Sequence, residues 1–214
     1  STCMLLEGYG LTETVTVCSV NTKMNFKLGS VGKPLNNIEF MILDENKQIL
    51  KANQTGEVYI SGDTLMNSYL NDKIQTENTL INFNGKVFVK TGDLGYLDDD
   101  GFLFLKGRIK RIFKISGINV YPSEIEKLVC QIDDIFDASV EYIENNSSLE
   151  LFVILNKDSS KSKEELVDEI YNLLNSKLLK YSIPSKITFM ESFPKTKVGK
   201  IAFNKLGETK KHEK

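Results

Sequence analysis

The sequence predicts an α+β protein in two parts. A β-rich stretch over residues 1–107 is followed by a small α+β domain over residues 108–214. Two patterns carry this. Up to residue 107, short apolar runs are separated by Gly, Asn and Asp turns, and none reads as a helix. Beyond it, Ile125, Leu128, Val129 and Ile132 recur at i, i+3, i+4 and i+7, one buried helical face, with strand-like runs on either side. The change of grammar falls within residues 107–126, GRIKRIFKISGINVYPSEIE, which reads as a Gly-Arg turn, a basic strand-like run, a Gly-Ile-Asn loop and a helix start.

The β-rich part reads in order as follows. EGYGLTETVTV (7–17) is a turn entering a β-branched strand at Val15, Thr16 and Val17; its glycines also allow a close approach to a flat ligand beside Tyr9. GSVGKPL (29–35) has Pro34 after Lys33 and so lacks the spacing of a phosphate loop; it is a turn. Strands are predicted at 38–43 (IEFMIL), 56–61 (GEVYIS), 86–90 (KVFVK) and 102–105 (FLFL). Asp93, in KTGDLGYL (90–97), lies between two glycines at a strand end, where it serves either a turn or a bound hydroxyl pair.

In the second part, Ser123 and Glu126 spell a capping box, S-x-x-E, so Glu126 reads as a helix cap. Residues 138–143 and 149–155 form a hairpin around ENNSS. Ser162 and Glu165 open a second helix whose inner face is Leu166, Val167, Ile170, Leu173, Leu174 and Leu178. A last strand at 186–190 precedes PKTKVGK, which places Lys195, Lys197 and Lys200 around Gly199. That run is either a solvated basic loop or a mount for one lysine that neutralises a carboxylate or phosphate oxygen.

Composition excludes several classes. Of 214 residues, 41% are hydrophobic and 26% charged, with a net charge of −2, an ordinary globular balance. No concentrated basic face suggests nucleic acid or a membrane surface, and no run approaches a membrane span. Cys3, Cys18 and Cys130 are scattered and odd in number, which favours a reducing cytoplasm over a disulfide framework. The one histidine, His212, sits in a lysine-rich tail, which argues against histidine-based nucleophilic catalysis. The N-terminus, STCMLLEGYG, has no signal-peptide pattern and begins in mid-motif, as expected of a piece of something longer.

The ordered set YGLTE, GEVYISG with YLN, TGDLGYL, GRIKRIFKISGINVYPSEIE and PKTKVGK resembles the adenylate-forming superfamily of acyl- and aryl-CoA synthetases, peptide-synthetase adenylation domains and firefly-type luciferases. The resemblance implies the β-rich end of the large AMP-binding domain followed by the whole small lid domain, with a hinge near 108–111. It implies that Tyr9 stacks on adenine, Thr12 contacts phosphate, and Glu13 helps hold Mg²⁺. Asp93 then accepts the ribose hydroxyls with Arg108 assisting, and Lys200 bridges the substrate carboxylate and the α-phosphate of ATP. Lys110 matches the hinge residue, and Gly117 the loop that enters the site for the second step. Leu before Thr-Glu, and GINVYPSEIE, are similar to the acyl-CoA synthetase branch, which makes coenzyme A and a small carboxylic acid the co-substrates and AMP the leaving group.

The family's Ser/Thr/Gly-rich phosphate loop lies upstream of YGLTE and has no counterpart here, so this stretch by itself is expected to be inactive. Two other readings stay open: an adenylating enzyme that loads a carrier-protein phosphopantetheine, and a non-catalytic module that kept the fold.

Overall fold

The computed structural model describes residues 3–144, 147–197 and 199–206, and divides after Lys110 into two units, residues 1–110 and 111–214. In the first unit, β1 (Gly8–Gly10), β2 (Val17–Val20) and β3 (Lys33–Pro34) make a small antiparallel sheet in that order. β4 (Ile38–Leu43), β5 (Gly56–Gly62), α1 (Lys73–Thr79), β6 (Leu80–Phe83), β7 (Lys86–Leu97) and β8 (Leu103–Arg108) follow. Their strands form an antiparallel sheet in the order β4-β5-β7-β6, with β8 paired to the second half of β7.

IEFMIL is apolar on both faces because both faces of β4 are covered. Phe40 and Ile42 pack with Cys18, Val58, Ile60 and Leu103, while Met41 and Leu43 pack with Tyr59 and Phe88. A side chain buried in this way contributes about 1.5–3 kcal/mol. The strands expected at 38–43, 56–61, 86–90 and 102–105 all form, the last two longer than expected.

Four local expectations are corrected. KIQTENT is a helix, α1, where none was expected: Asp72 caps it by accepting Gln75 N–H at 2.9 Å, but the segment is too polar to show an apolar period. The strand after EGYG is Val17–Val20, not 15–17, because Thr12–Thr14 first makes a 3₁₀ turn and Val15 follows at φ 63°. Asp93 lies inside β7, not at its end, because β8 and β5 keep pairing with residues 94 and 95. Gly107 and Arg108 are not a turn; they pair with Leu94 and Asp93 as the last residues of β8.

In the second unit, β9 (Phe113–Ile115) and β10 (Ile118–Val120) form a hairpin, followed by α2 (Pro122–Val129), β11 (Ile135–Ile143), β12 (Ser148–Leu155), α3 (Lys163–Lys177) and β13 (Lys186–Met190). The sheet order is β11-β12-β13. β11 and β12 are antiparallel, and β13 is parallel to β12, reached through α3. Ile125, Val129, Leu166, Ile170 and Leu174 of the helices pack on Ala138, Val140, Leu149, Leu151 and Val153. The opposite sheet face is covered by the C-terminal segment, where Phe193, Ile201, Phe203 and Leu206 join Phe152, Ile154 and Met190.

Both α2 and α3 carry Ser-x-x-Glu at their starts, yet only one is capped by it. Ser162 Oγ accepts Glu165 N–H at 3.2 Å and Glu165 Oε2 accepts Ser162 N–H at 2.8 Å, the reciprocal pair expected for α3. On α2 the N-cap is Tyr121, Pro122 takes the first turn, and Ser123 is already inside the helix. Glu126 therefore does not cap; its carboxylate turns inward to Arg111 and to the Val140 N–H. Residues 145–146 of the ENNSS turn, and His212, lie outside the described residues.

Candidate active site

The central group of the first unit is the Asp93 carboxylate, and a bulge presents it. Glu57 pairs with Leu94 and Tyr59 with Lys90, so Thr91, Gly92 and Asp93 are looped out opposite a single residue of β5. Gly92 makes this possible at φ +71°, a region that side chains with a Cβ avoid. Thr91 pins the bulge by donating to Val58 O at 2.7 Å and accepting Asp93 N–H at 3.0 Å.

Two donors reach the carboxylate from distant parts of the chain. Tyr9, on β1, donates its hydroxyl to Asp93 Oδ2, and Arg108 Nε, directly across on β8, lies 2.8 Å from Oδ1. The Asp93 side chain is 6% exposed and that of Arg108 57%, so the guanidinium keeps donors turned to solvent. Burial pushes the Asp93 carboxyl above the usual aspartate range, outweighing Tyr9 and Arg108, which pull it down; the Glu13 charge adds to the upward shift. Burial, and then Asp93 itself, raise the Tyr9 hydroxyl, which keeps it a donor. The Tyr9 ring is half-buried, 6.5 Å from Phe40 and tilted by 44°.

The TET turn sorts its two threonines. Thr14 is buried, accepting Leu11 N–H at 3.1 Å and donating to Leu11 O at 3.0 Å, while Thr12 is exposed. Between them Glu13 accepts the Tyr69 hydroxyl at 2.6 Å on Oε1, and its backbone O accepts Met66 N–H at 2.8 Å. Tyr69 comes from the YLN motif, which by itself suggested no role. No group of three or more His, Cys, Asp or Glu that could hold a metal occurs among the described residues. A single carboxylate beside an exposed hydroxyl fits a magnesium ion that keeps most of its ligands from water and phosphate, and does not fit a protein-caged metal.

Tyr9, Asp93 and Arg108 are thus brought into contact, while Glu13, next to Thr12 in the chain, bears on Asp93 through its charge alone. Lys110 is exposed in the 3₁₀ turn Ile109–Arg111, at the division between the units. Gly117 and Lys200 belong to the second unit. Ser116 (φ +50°) and Gly117 (φ +79°) are the two central residues between the Ile115–Ile118 pair, the left-handed two-residue turn that suits a hairpin. Lys200 is exposed on a loop closed by the Lys195–Ile201 bridge; its N–H reaches Thr196 Oγ1 at 3.2 Å and its carbonyl accepts Thr196 N–H at 2.7 Å.

Residues 1–70 match the family model of the AMP-binding enzyme, and residues 124–200 match that of the AMP-binding enzyme C-terminal domain. The 4-coumarate–CoA ligase 1 of Glycine max is 34% identical over 204 residues, covering 91% of this chain and 68% of that protein. The chain belongs to the AMP-binding enzyme family of adenylate-forming acyl-CoA synthetases. A long-chain-fatty-acid–CoA ligase of Escherichia coli is 32% identical over 206 residues, 94% of this chain and 35% of that one. The O-succinylbenzoate coenzyme A synthetase of Bacillus subtilis, in complex with ATP and magnesium ion, superimposes with a TM-score of 0.79 at 30% identity, covering 94% of this chain and 41% of that chain. The chain therefore spans 68% of the soybean relative and little more than a third of the bacterial ligase. No helix among the described residues is long and apolar enough to cross a membrane.

Sequence reasoning placed no function on Tyr69, Arg111, Glu141 or Phe203. Tyr69 alone carried a signal, its place in the YLN element of the ordered motif set. The others are defined by partners that only the fold supplies.

Proposed function

We propose that the protein to which this chain belongs is an AMP-forming acid–thiol ligase. An oxygen of the substrate carboxylate attacks the α-phosphorus of ATP, the bond to the bridging oxygen breaks, and pyrophosphate leaves. A thiolate, that of coenzyme A, then attacks the acyl carbon and AMP departs with the bonding pair. The observation that carries this reading is the Asp93 carboxylate, buried and oriented by Tyr9 and Arg108. Each of its oxygens has one donor and a further lone pair, which suits a ribose with two neighbouring hydroxyls.

In this reading Thr12 and the solvent-facing donors of Arg108 contact the nucleotide, and Glu13 holds Mg²⁺, which offsets phosphate charge when bound. Lys200 supplies a fixed positive charge between the two reacting groups. Lys110 is the hinge of a large domain ending near 107 and a lid domain from 108; rotation there exchanges Lys200 for the Gly117 hairpin between the two steps. The names of the relatives support an organic acid of fatty or aryl type as substrate. Three free cysteines support a reducing cytoplasmic setting. The chain by itself, which spans little more than a third of the bacterial ligase, is expected not to adenylate.

The test is Lys200→Ala in the complete protein. Carboxylate-dependent ATP–pyrophosphate exchange should fall at least ~100-fold, while thioester formation from a supplied acyl-adenylate stays within about threefold. Equal loss of both steps would overturn the two-step assignment. Thioester formed only on a phosphopantetheine carrier protein would overturn the choice of coenzyme A.

A further inference from the structure

Arg111 opens the second unit and ties together more of it than its place in sequence suggests. Its Nη2 donates to Glu126 Oε1 on α2 at 2.7 Å and to Val140 O on β11 at 3.1 Å, and lies 3.5 Å from Glu141 Oε1. Nη1 reaches Glu126 Oε2 at 3.4 Å. The guanidinium carbon stands 3.9 Å over the ring of Phe203. Only the planar fork of arginine can satisfy a carboxylate in its plane and an aromatic ring on its face together.

Phe203 is one of the anchors of the C-terminal strap. Phe193 enters the apolar layer on the outer sheet face, and Ile201, Phe203 and Leu206 re-enter it. The loop between them carries Lys200. An open surface pocket of about 260 Å³, lined in part by Arg111, Glu126, Ser139, Ile201 and Phe203, lies beside the stack. The strap thus has room to shift if the guanidinium is removed, and the residue that holds it directly follows Lys110.

We infer that Arg111 is a positioning residue for Lys200: it fastens the lysine-bearing strap to α2 and β11 at the point where the chain leaves the hinge. The hinge rotation is then delivered to the lysine without slack. This rests on the adenylation reading of Lys200. A misplacement of roughly 1 Å at a reacting group costs on the order of 100-fold in rate, so a strap that wanders by that much would be felt in the first step.

The experiment uses the complete protein with Arg111→Met, Arg111→Lys and, as the variant least disturbing to folding, Phe203→Leu. Amide exchange across peptides spanning 193–206 should accelerate about tenfold in all three, with that of α3 unchanged. Carboxylate-dependent pyrophosphate exchange should lose about 10- to 100-fold in kcat with KM for ATP within about twofold, and thioester formation from supplied adenylate should be kept. Arg111→Lys retains the charge beside Glu126 but cannot stack and fork together, so it should not restore strap protection. Unchanged exchange at 193–206 in Arg111→Met and Phe203→Leu would overturn the inference. So would equal losses in both chemical steps. If the unaltered protein shows no carboxylate-dependent exchange, the functional reading fails, while the amide exchange still decides whether Arg111 holds the strap.

Discussion

Tyr9 and Asp93, 84 residues apart in sequence, are joined by a hydrogen bond in which the phenol donates to the carboxylate. Tyr9 therefore has two separable properties, a ring face and a hydroxyl aimed at Asp93. Tyr9→Phe keeps the packing on Phe40 and deletes the donor. If the hydroxyl sets the carboxylate, the complete protein should bind ATP several-fold more weakly, and stability should fall by about 1 kcal/mol. Unchanged ATP affinity by calorimetry would assign Tyr9 to ring stacking alone.

Arg108→Leu removes the guanidinium paired with Asp93 Oδ1. Because the arginine side chain is 57% exposed, the cost is smaller than for a fully buried pair, about 1–2 kcal/mol at pH 7. The loss should shrink as pH falls, since a protonated Asp93 no longer needs the guanidinium. Urea unfolding at pH 5 and pH 8 measures both.

Glu141 should make stability fall with rising pH. Burial, reinforced by Glu126 and opposed by Arg111, pushes its carboxyl from 4.5 up to about 7. It also faces Glu150 across the β11–β12 ladder, where Lys186 and Thr188 already bind that second carboxylate. The folded state holds the proton more tightly than the unfolded chain. Its contribution is therefore fully present below pH 4.5 and is lost as pH rises through about 7. Glu141→Gln should remove this part of the pH dependence and be relatively more stable at pH 8 than at pH 5, as read from the denaturation midpoint.

The two Ser-x-x-Glu motifs should respond differently to mutation. Ser162→Ala loses one cap bond of α3 and should cost about 1 kcal/mol. Glu126→Ala strips Arg111 of its main partner and leaves the Val140 N–H unpaired, and should cost about 3 kcal/mol or more. Equal costs in chemical denaturation would contradict the distinction.

Lys110→Pro should slow passage between the two steps. Proline holds φ near −65°, so the complete protein should keep pyrophosphate exchange within about threefold and lose about tenfold or more in overall thioester formation. Single-turnover measurements of each step provide the check.

Capping explains why the sequence was legible at α3 and misleading at α2. Both spell Ser-x-x-Glu, but Pro122 starts α2 one residue before Ser123, and a carboxylate within reach of Arg111 and a free β11 N–H gains more there than at a helix end. α1 was missed for the opposite reason: it is held by the Asp72 cap and carries no apolar stripe. Strands β4, β5, β11 and β12 were legible because burial on a pleated sheet imposes its pattern directly on the residues.

The sequence by itself determined the α+β class, the core strands, the α3 cap and the ordered motifs that mark the family, because local propensity and side-chain periodicity are properties of neighbours along the chain. Only the tertiary structure decided that Asp93 rides on a bulge between Tyr9 and Arg108, that Tyr69 holds Glu13, and that Arg111 grips Glu126 and Phe203. Those relations join residues up to 92 positions apart. Hydrogen bonds and ring contacts act over a few ångströms of space, and sequence distance carries no record of them.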